Sequence, residues 1–190
     1  MPKTYITFFI FSLFSHVVHS ATNDVTKEKF KQSFLSCSII TSEHLTVLQL
    51  YQRGLPRDLA LETLPKITRA AKERVKYVYD LAKKIGILNV YADINTNFAR
   101  CATMVHKVNG TPAADLKEHN YYYCAGENKI RFEIILMTNQ NKSVKKLMSS
   151  FPRRYETTVI NLYQLINSKG TLAAFDLTSN NLKACLNQIN

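Results

Sequence analysis

Four cysteines frame two stretches of nearly equal length, and the two stretches match each other in register. Displaced by 87 positions, Cys37 falls on Cys124, Leu45 on Phe132, Val47 on Ile134 and Leu48 on Ile135. The same displacement puts Gly54 on Asn141, Leu64 on Phe151 and Pro65 on Pro152. After a three-residue gap it becomes 84, and Val75 falls on Val159, Tyr79 on Tyr163, Gly86 on Gly170, Phe98 on Leu182 and Cys101 on Cys185. Self-similarity at one long period describes a chain built from two copies of one supersecondary unit. That single reading constrains module boundaries, cysteine pairing and fold class together, and leaves the chemistry open.

Residues 1–20 read as a secretory signal. Lys3 and the amino terminus supply positive charge, and Tyr5 to Phe14 is an apolar run too short to span a bilayer. Val18 and Ser20 occupy positions −3 and −1 of a cut between Ser20 and Ala21. The competing readings are a membrane anchor or a first core helix. Cleavage leaves a secreted or periplasmic product with no transmembrane segment. Four cysteines in an oxidising compartment imply two disulfides, and four allow three pairings. The repetition selects one, Cys37–Cys101 and Cys124–Cys185, a bridge inside each unit. Each would close a loop of about sixty residues, worth roughly 4 kcal/mol in the chain-entropy description. No CxxC or HxxxH spacing supports a metal site, so neither a metal nor another cofactor is expected.

Glycine and proline are few, at five each, and apolar residues recur at helical intervals. The expected class is all-α: two tandem disulfide-tied helical bundles packed together, 21–108 and 117–190, joined by 109–116. In the first unit Thr26 is expected to cap a helix carrying Phe30, Phe34, Cys37, Ile40 or Thr41, Leu45, Leu48 and Tyr51. Gly54 is expected just past its end in a left-handed conformation, with Asn141 in the equivalent place. Pro56–Leu64 reads as one or two helical turns. Pro65 is expected just ahead of, or at the first position of, a helix that buries a stripe of Ile67, Ala71, Val75, Val78, Ala82 and Ile85 and stops at Gly86. A last helix is expected from Leu88 to about Val108. In the second unit the expected elements are 117–139, a short 143–150 turn, 153–168 and 172–188. Tyr121, Tyr122 and Tyr123 are placed near the seam between the units.

Cys37, the stretch Gln52-Arg53-Gly54, Tyr77 or Tyr79, Phe98 and Cys101 together resemble a pattern in small exported proteobacterial helical proteins. In that pattern a cysteine is followed by an apolar helix ending in Arg-Gln-x-Gly, then a tyrosine, then phenylalanine shortly before a second cysteine. This chain has Gln-Arg-Gly there, and the second unit lacks both the glycine and the arginine. The resemblance covers some 65 residues and implies a disulfide-tied helical module of the envelope or exterior, with no catalytic residue to transfer. In overall composition the chain is also similar to secreted factors of Gram-negative bacteria that live in host cells.

Motifs for nucleophilic, nucleotide-binding or zinc-hydrolase chemistry are absent. The histidines beyond the signal are His44, His106 and His119, and no spacing joins them into a site. Charge is the strongest functional signal. The formal net charge is +11, from 25 bases against 14 acids. The excess is shared: residues 21–101 carry 13 bases and 8 acids, and 102–190 carry 11 and 6. In the first unit Lys66, Arg69, Lys72, Lys76 and Lys83 are expected on one helix face. In the second, Lys145, Lys146, Arg153 and Arg154 cluster with Lys142. A basic surface on a folded exported protein favours anionic partners by long-range attraction. The candidate ligand-binding residues are therefore Lys66, Arg69, Lys72, Lys76, Lys145, Lys146, Arg153 and Arg154. The candidate ligands are acidic lipid headgroups such as phosphoinositides, or anionic glycans; a host or envelope protein is a further partner class, and nucleic acid is disfavoured. The expected function is non-enzymatic binding. The alternative is a protein-interaction or structural module with no anionic ligand, followed by an enzyme with an unfamiliar site.

Overall fold

The computed structural model describes residues 32–63 and 68–188. Eight α-helices occur among them and no strand. They are α1 (Phe34–Gln52), α2 (Arg57–Thr63), α3 (Arg69–Ile85), α4 (Ile87–Asn109), α5 (Lys117–Asn139), α6 (Val144–Ser150), α7 (Glu156–Lys169) and α8 (Thr171–Asn187). A 3-10 turn, Arg153–Tyr155, leads into α7. The all-α expectation holds. No helix among the described residues is long and apolar enough to cross a membrane.

The helix ends follow from local chemistry. Gly54 lies at φ +78 and its amide donates to Tyr51 O, while Leu55 N donates to Leu50 O. Asn141 lies at φ 58, with Asn141 N donating to Thr138 O and Lys142 N to Met137 O. These are two Schellman closures, one built on glycine and one on the residue that best replaces it. Gly86 and Gly170, at φ 83 and 84, each separate one helix from the next without a spacer.

Two helix starts are set by local caps. Ser33 is extended and caps α1 reciprocally with Ser36, at 3.0 and 2.9 Å. This capping box uses serine where glutamate is usual. Thr26, Glu28 and Phe30 lie outside the described residues, as does the predicted signal. α3 begins at Arg69, where Thr68 is the N-cap and accepts from Ala71 N at 3.2 Å; Pro65 lies outside the described residues. The helix predicted over 153–168 divides into the 3-10 turn and α7 at Tyr155, whose φ of −97 and ψ of 2 depart from α-helical values.

α1, α4, α5 and α8 pack on one another as a central group; α3 packs on α1 and α4, and α7 packs on α5 and α8. One continuous core runs through both halves. It includes Leu45, Leu48, Val78 and Tyr91 from the first, and Ile134, Ile135, Val159 and Phe175 from the second. Burying side chains of this size contributes about 1.5–3 kcal/mol each before entropy is counted. Within the α1 stripe the choice between Ile40 and Thr41 resolves to Thr41, which is buried, whereas Ile40 is 42% exposed. Ile85 leaves the predicted α3 stripe and faces outward, since it stands in the last turn beyond the reach of α1. The two disulfides join Cys37 to Cys101 and Cys124 to Cys185, each with Cα atoms 5.9 Å apart. Each bridge ties the first helix of a half to its last.

Candidate functional site

Arg69 and Lys72 stand exposed in the first turn of α3, a turn that holds no acidic residue. Lys145 and Lys146 occupy the same place in α6, after the Ser143 cap. Arg153 and Arg154 form the 3-10 turn directly before α7, also exposed. Helix starts carry partial positive charge, so cations there are disfavoured by the macrodipole. The same placement adds side-chain charge to unpaired backbone amides and strengthens the positive field outside. Lys76 is exposed one turn further along α3 and pairs with Glu73 at 3.0 Å. Lys66 lies outside the described residues, upstream of the α3 cap. Arg154 lies over the Tyr155 ring, 4.9 Å from its centroid. The two sets ride on separate flanks, because α3 rests on α1 and α4 whereas α6 and α7 rest on α5.

A second polar constellation lies across the seam, on three helices. The Asp176 carboxylate of α8 accepts from Tyr91 Oη at 2.7 Å, from Gln52 Nε2 at 2.7 Å and from Gln49 Nε2 at 3.3 Å. Gln49 Nε2 also donates to Asn180 Oδ1 at 3.2 Å, and Lys183 Nζ donates to Gln49 Oε1. The Tyr91 ring is fully buried and stacks on Phe175, centroids 5.2 Å apart. Burial, then the Asp176 hydrogen bond, pushes the Tyr91 hydroxyl far above its ordinary range. Burial and the neighbouring Arg53 lower the Lys183 ammonium, against the pull of Asp176. Sequence reasoning missed this cluster because its bonds to α8 span 85 to 134 positions. The available signal was an aspartate on an apolar face of α8, beside Phe175.

The histidines do not meet. His44 sits in a cleft between α1, α3 and α4, beside the first disulfide, with Tyr77, Asp93 and Asn97 on its walls. Its pKa is lowered by burial and by Arg74, against Glu43 and Asp93. Arg74 is held by Glu43 at 2.7 Å. His106 stacks on Tyr122 at 5.6 Å and contacts Thr111 Oγ1 at 3.1 Å. His119 is tilted against the same tyrosine at 6.1 Å and contacts Pro112 O at 3.1 Å. Both therefore fasten the connection between α4 and α5. Tyr122 also meets Phe34 edge-on at 5.2 Å, which places it in the α1–α5 seam; Tyr121 is half-buried, and Tyr123 is 58% exposed. No group of three or more metal-ligating side chains occurs among the described residues.

No protein-family model matches this sequence, and no curated protein or solved structure matches it either.

Proposed function

We propose that this chain is an exported, non-enzymatic binding protein that engages anionic ligands, foremost acidic lipid headgroups, through basic helical faces. It is read as two copies of one helical unit. The observation that carries the proposal is the placing of exposed cations in the first turns of α3 and α6 and in the 3-10 turn before α7, where the helix dipole disfavours them. The two disulfides fit a compartment that maintains them, and such a compartment offers lipid phosphates and glycans as anionic surfaces. The test is cosedimentation with vesicles. The protein should pellet with phosphatidylglycerol-containing vesicles and stay in the supernatant with phosphatidylcholine alone. Equal pelleting with both would remove the lipid reading.

A second reading, a protein-interaction module, is favoured by the cleft beside Cys37–Cys101. Ile40 and Tyr77, 42% and 52% exposed, stand at its edge. Capture of one saturable protein partner, unaffected by charge reversal at Arg69, Lys72, Lys145 and Lys146, would support it over the first.

A further inference from the structure

Corresponding stretches of the two halves differ sharply in charge. Residues 53–68 carry three bases, Arg53, Arg57 and Lys66, against two acids, Asp58 and Glu62. Residues 140–155, displaced from them by 87, carry five bases, Lys142, Lys145, Lys146, Arg153 and Arg154, and no acid. In the first half Arg57 is compensated by Asp58 at 3.6 Å and Asp80 at 3.5 Å, and Lys76 by Glu73 at 3.0 Å. Among the described residues none of the five bases of 140–155 enters an ion pair. All five are exposed. Lys169 joins them: Thr171 Oγ1 donates to Asn139 Oδ1 at 2.7 Å, and that bond brings the α7–α8 junction beside the α5–α6 turn that holds Lys142.

This rests on the anion-binding reading and narrows it. We propose that the corner formed by the α5–α6 turn, α6 and the 3-10 turn is the surface by which the protein seats on an anionic phospholipid bilayer, the α3 face contributing little. Three successive backbone elements carry the charges outward, so they address a field of many phosphates better than one enclosed anion. Each lysine or arginine near such a surface adds attraction, and the sum falls off within a Debye length. Apolar side chains adjoin the cations: Leu136, 37% exposed, in the last turn of α5, with Val144 and Met148 half-buried on α6. Lysine stems beside such groups suit a headgroup layer, where the chain lies in apolar surroundings and the ammonium stays wet.

The test compares two charge-reversed forms of the disulfide-bonded protein: Lys145→Glu/Lys146→Glu/Arg153→Glu at the corner and Arg69→Glu/Lys72→Glu on α3. Arg154 is left in place because it packs on Tyr155. Helical circular dichroism and retention of both disulfides establish folding, and Lys145→Gln/Lys146→Gln serves as the milder corner variant. Affinity for phosphatidylglycerol vesicles should fall at least about tenfold for the corner form and less than about threefold for the α3 form. Equal losses, or a larger loss on α3, would overturn the corner assignment while leaving the anion-binding reading intact. Retention on heparin with no vesicle binding by the unmodified protein would overturn the bilayer as occupant. Binding to neither would overturn the reading beneath it.

Discussion

The Tyr91 hydroxyl of α4 donates to the Asp176 carboxylate of α8 at 2.7 Å, joining the two halves through a bond that neither half can make alone. Gln52 touches both partners: its Oε1 stands 3.0 Å from the Tyr91 hydroxyl as an alternative acceptor, and its Nε2 donates to Asp176 at 2.7 Å. Buried networks of this kind specify one arrangement when every member is satisfied. Tyr91→Phe should lower stability by about 1 kcal/mol, and Asp176→Ala by about 1–2 kcal/mol, because the alanine leaves the half-buried Gln52 amide without its acceptor, while Tyr91 and Gln49 keep Gln52 Oε1 and Asn180. Denaturant midpoints measure both; equal, near-zero effects would remove the network from the account of the seam.

Acid sensitivity should trace to His44. Its folded pKa lies below the ordinary 6.5, lowered by burial first and Arg74 second. The unfolded chain takes up a proton as pH falls through 6.5 while the folded one resists it. The stability contribution is therefore present above that value and lost on acidification. His44→Gln should flatten this part of the stability profile between neutral and mildly acidic pH; an unchanged slope would assign it to other groups.

Glu118, in the first turn of α5, accepts from the Phe34 and Leu35 amides and so caps α1 from the opposite half. Glu118→Ala should cost about 1 kcal/mol, with Glu118→Gln milder, both read as shifts in thermal midpoint. If alanine and glutamine behave alike, the cap is the wrong explanation for the contact.

At the left-handed positions that end α1 and α5, Asn141→Gly should be neutral or slightly stabilising. Gly54→Ala should destabilise by about 1 kcal/mol, since a φ of 78 strains a β-carbon, and Asn141→Ala by less, through loss of the short polar side chain that suits asparagine to a φ of 58. A stabilising alanine at either site would contradict the closure geometry.

Legibility followed the range of the interaction. Helix ends marked by one residue were readable: Gly54, Gly86 and Gly170 each sit at a boundary, and Lys117–Asn139 is α5 as expected. Starts made by less usual chemistry were not. The Ser33–Ser36 box lacks the glutamate that marks such a cap, and the Thr68 cap, with Ala71 three residues on, lacks it too. The basic residues were visible as a list. So was the absence of acids over 140–155, but ion pairs that join separate helices, such as Arg74–Glu43, were not. The Asp176 cluster was hidden for the same reason.

The most direct test of the central claim is the salt dependence of binding to phosphatidylglycerol vesicles by the unmodified, disulfide-bonded protein. Attraction between an exposed basic surface and anionic headgroups is screened beyond about 10 Å at 0.1 M salt and about 3 Å at 1 M. The account predicts that bound protein falls steeply across that range. Binding that stays level as salt rises would contradict it.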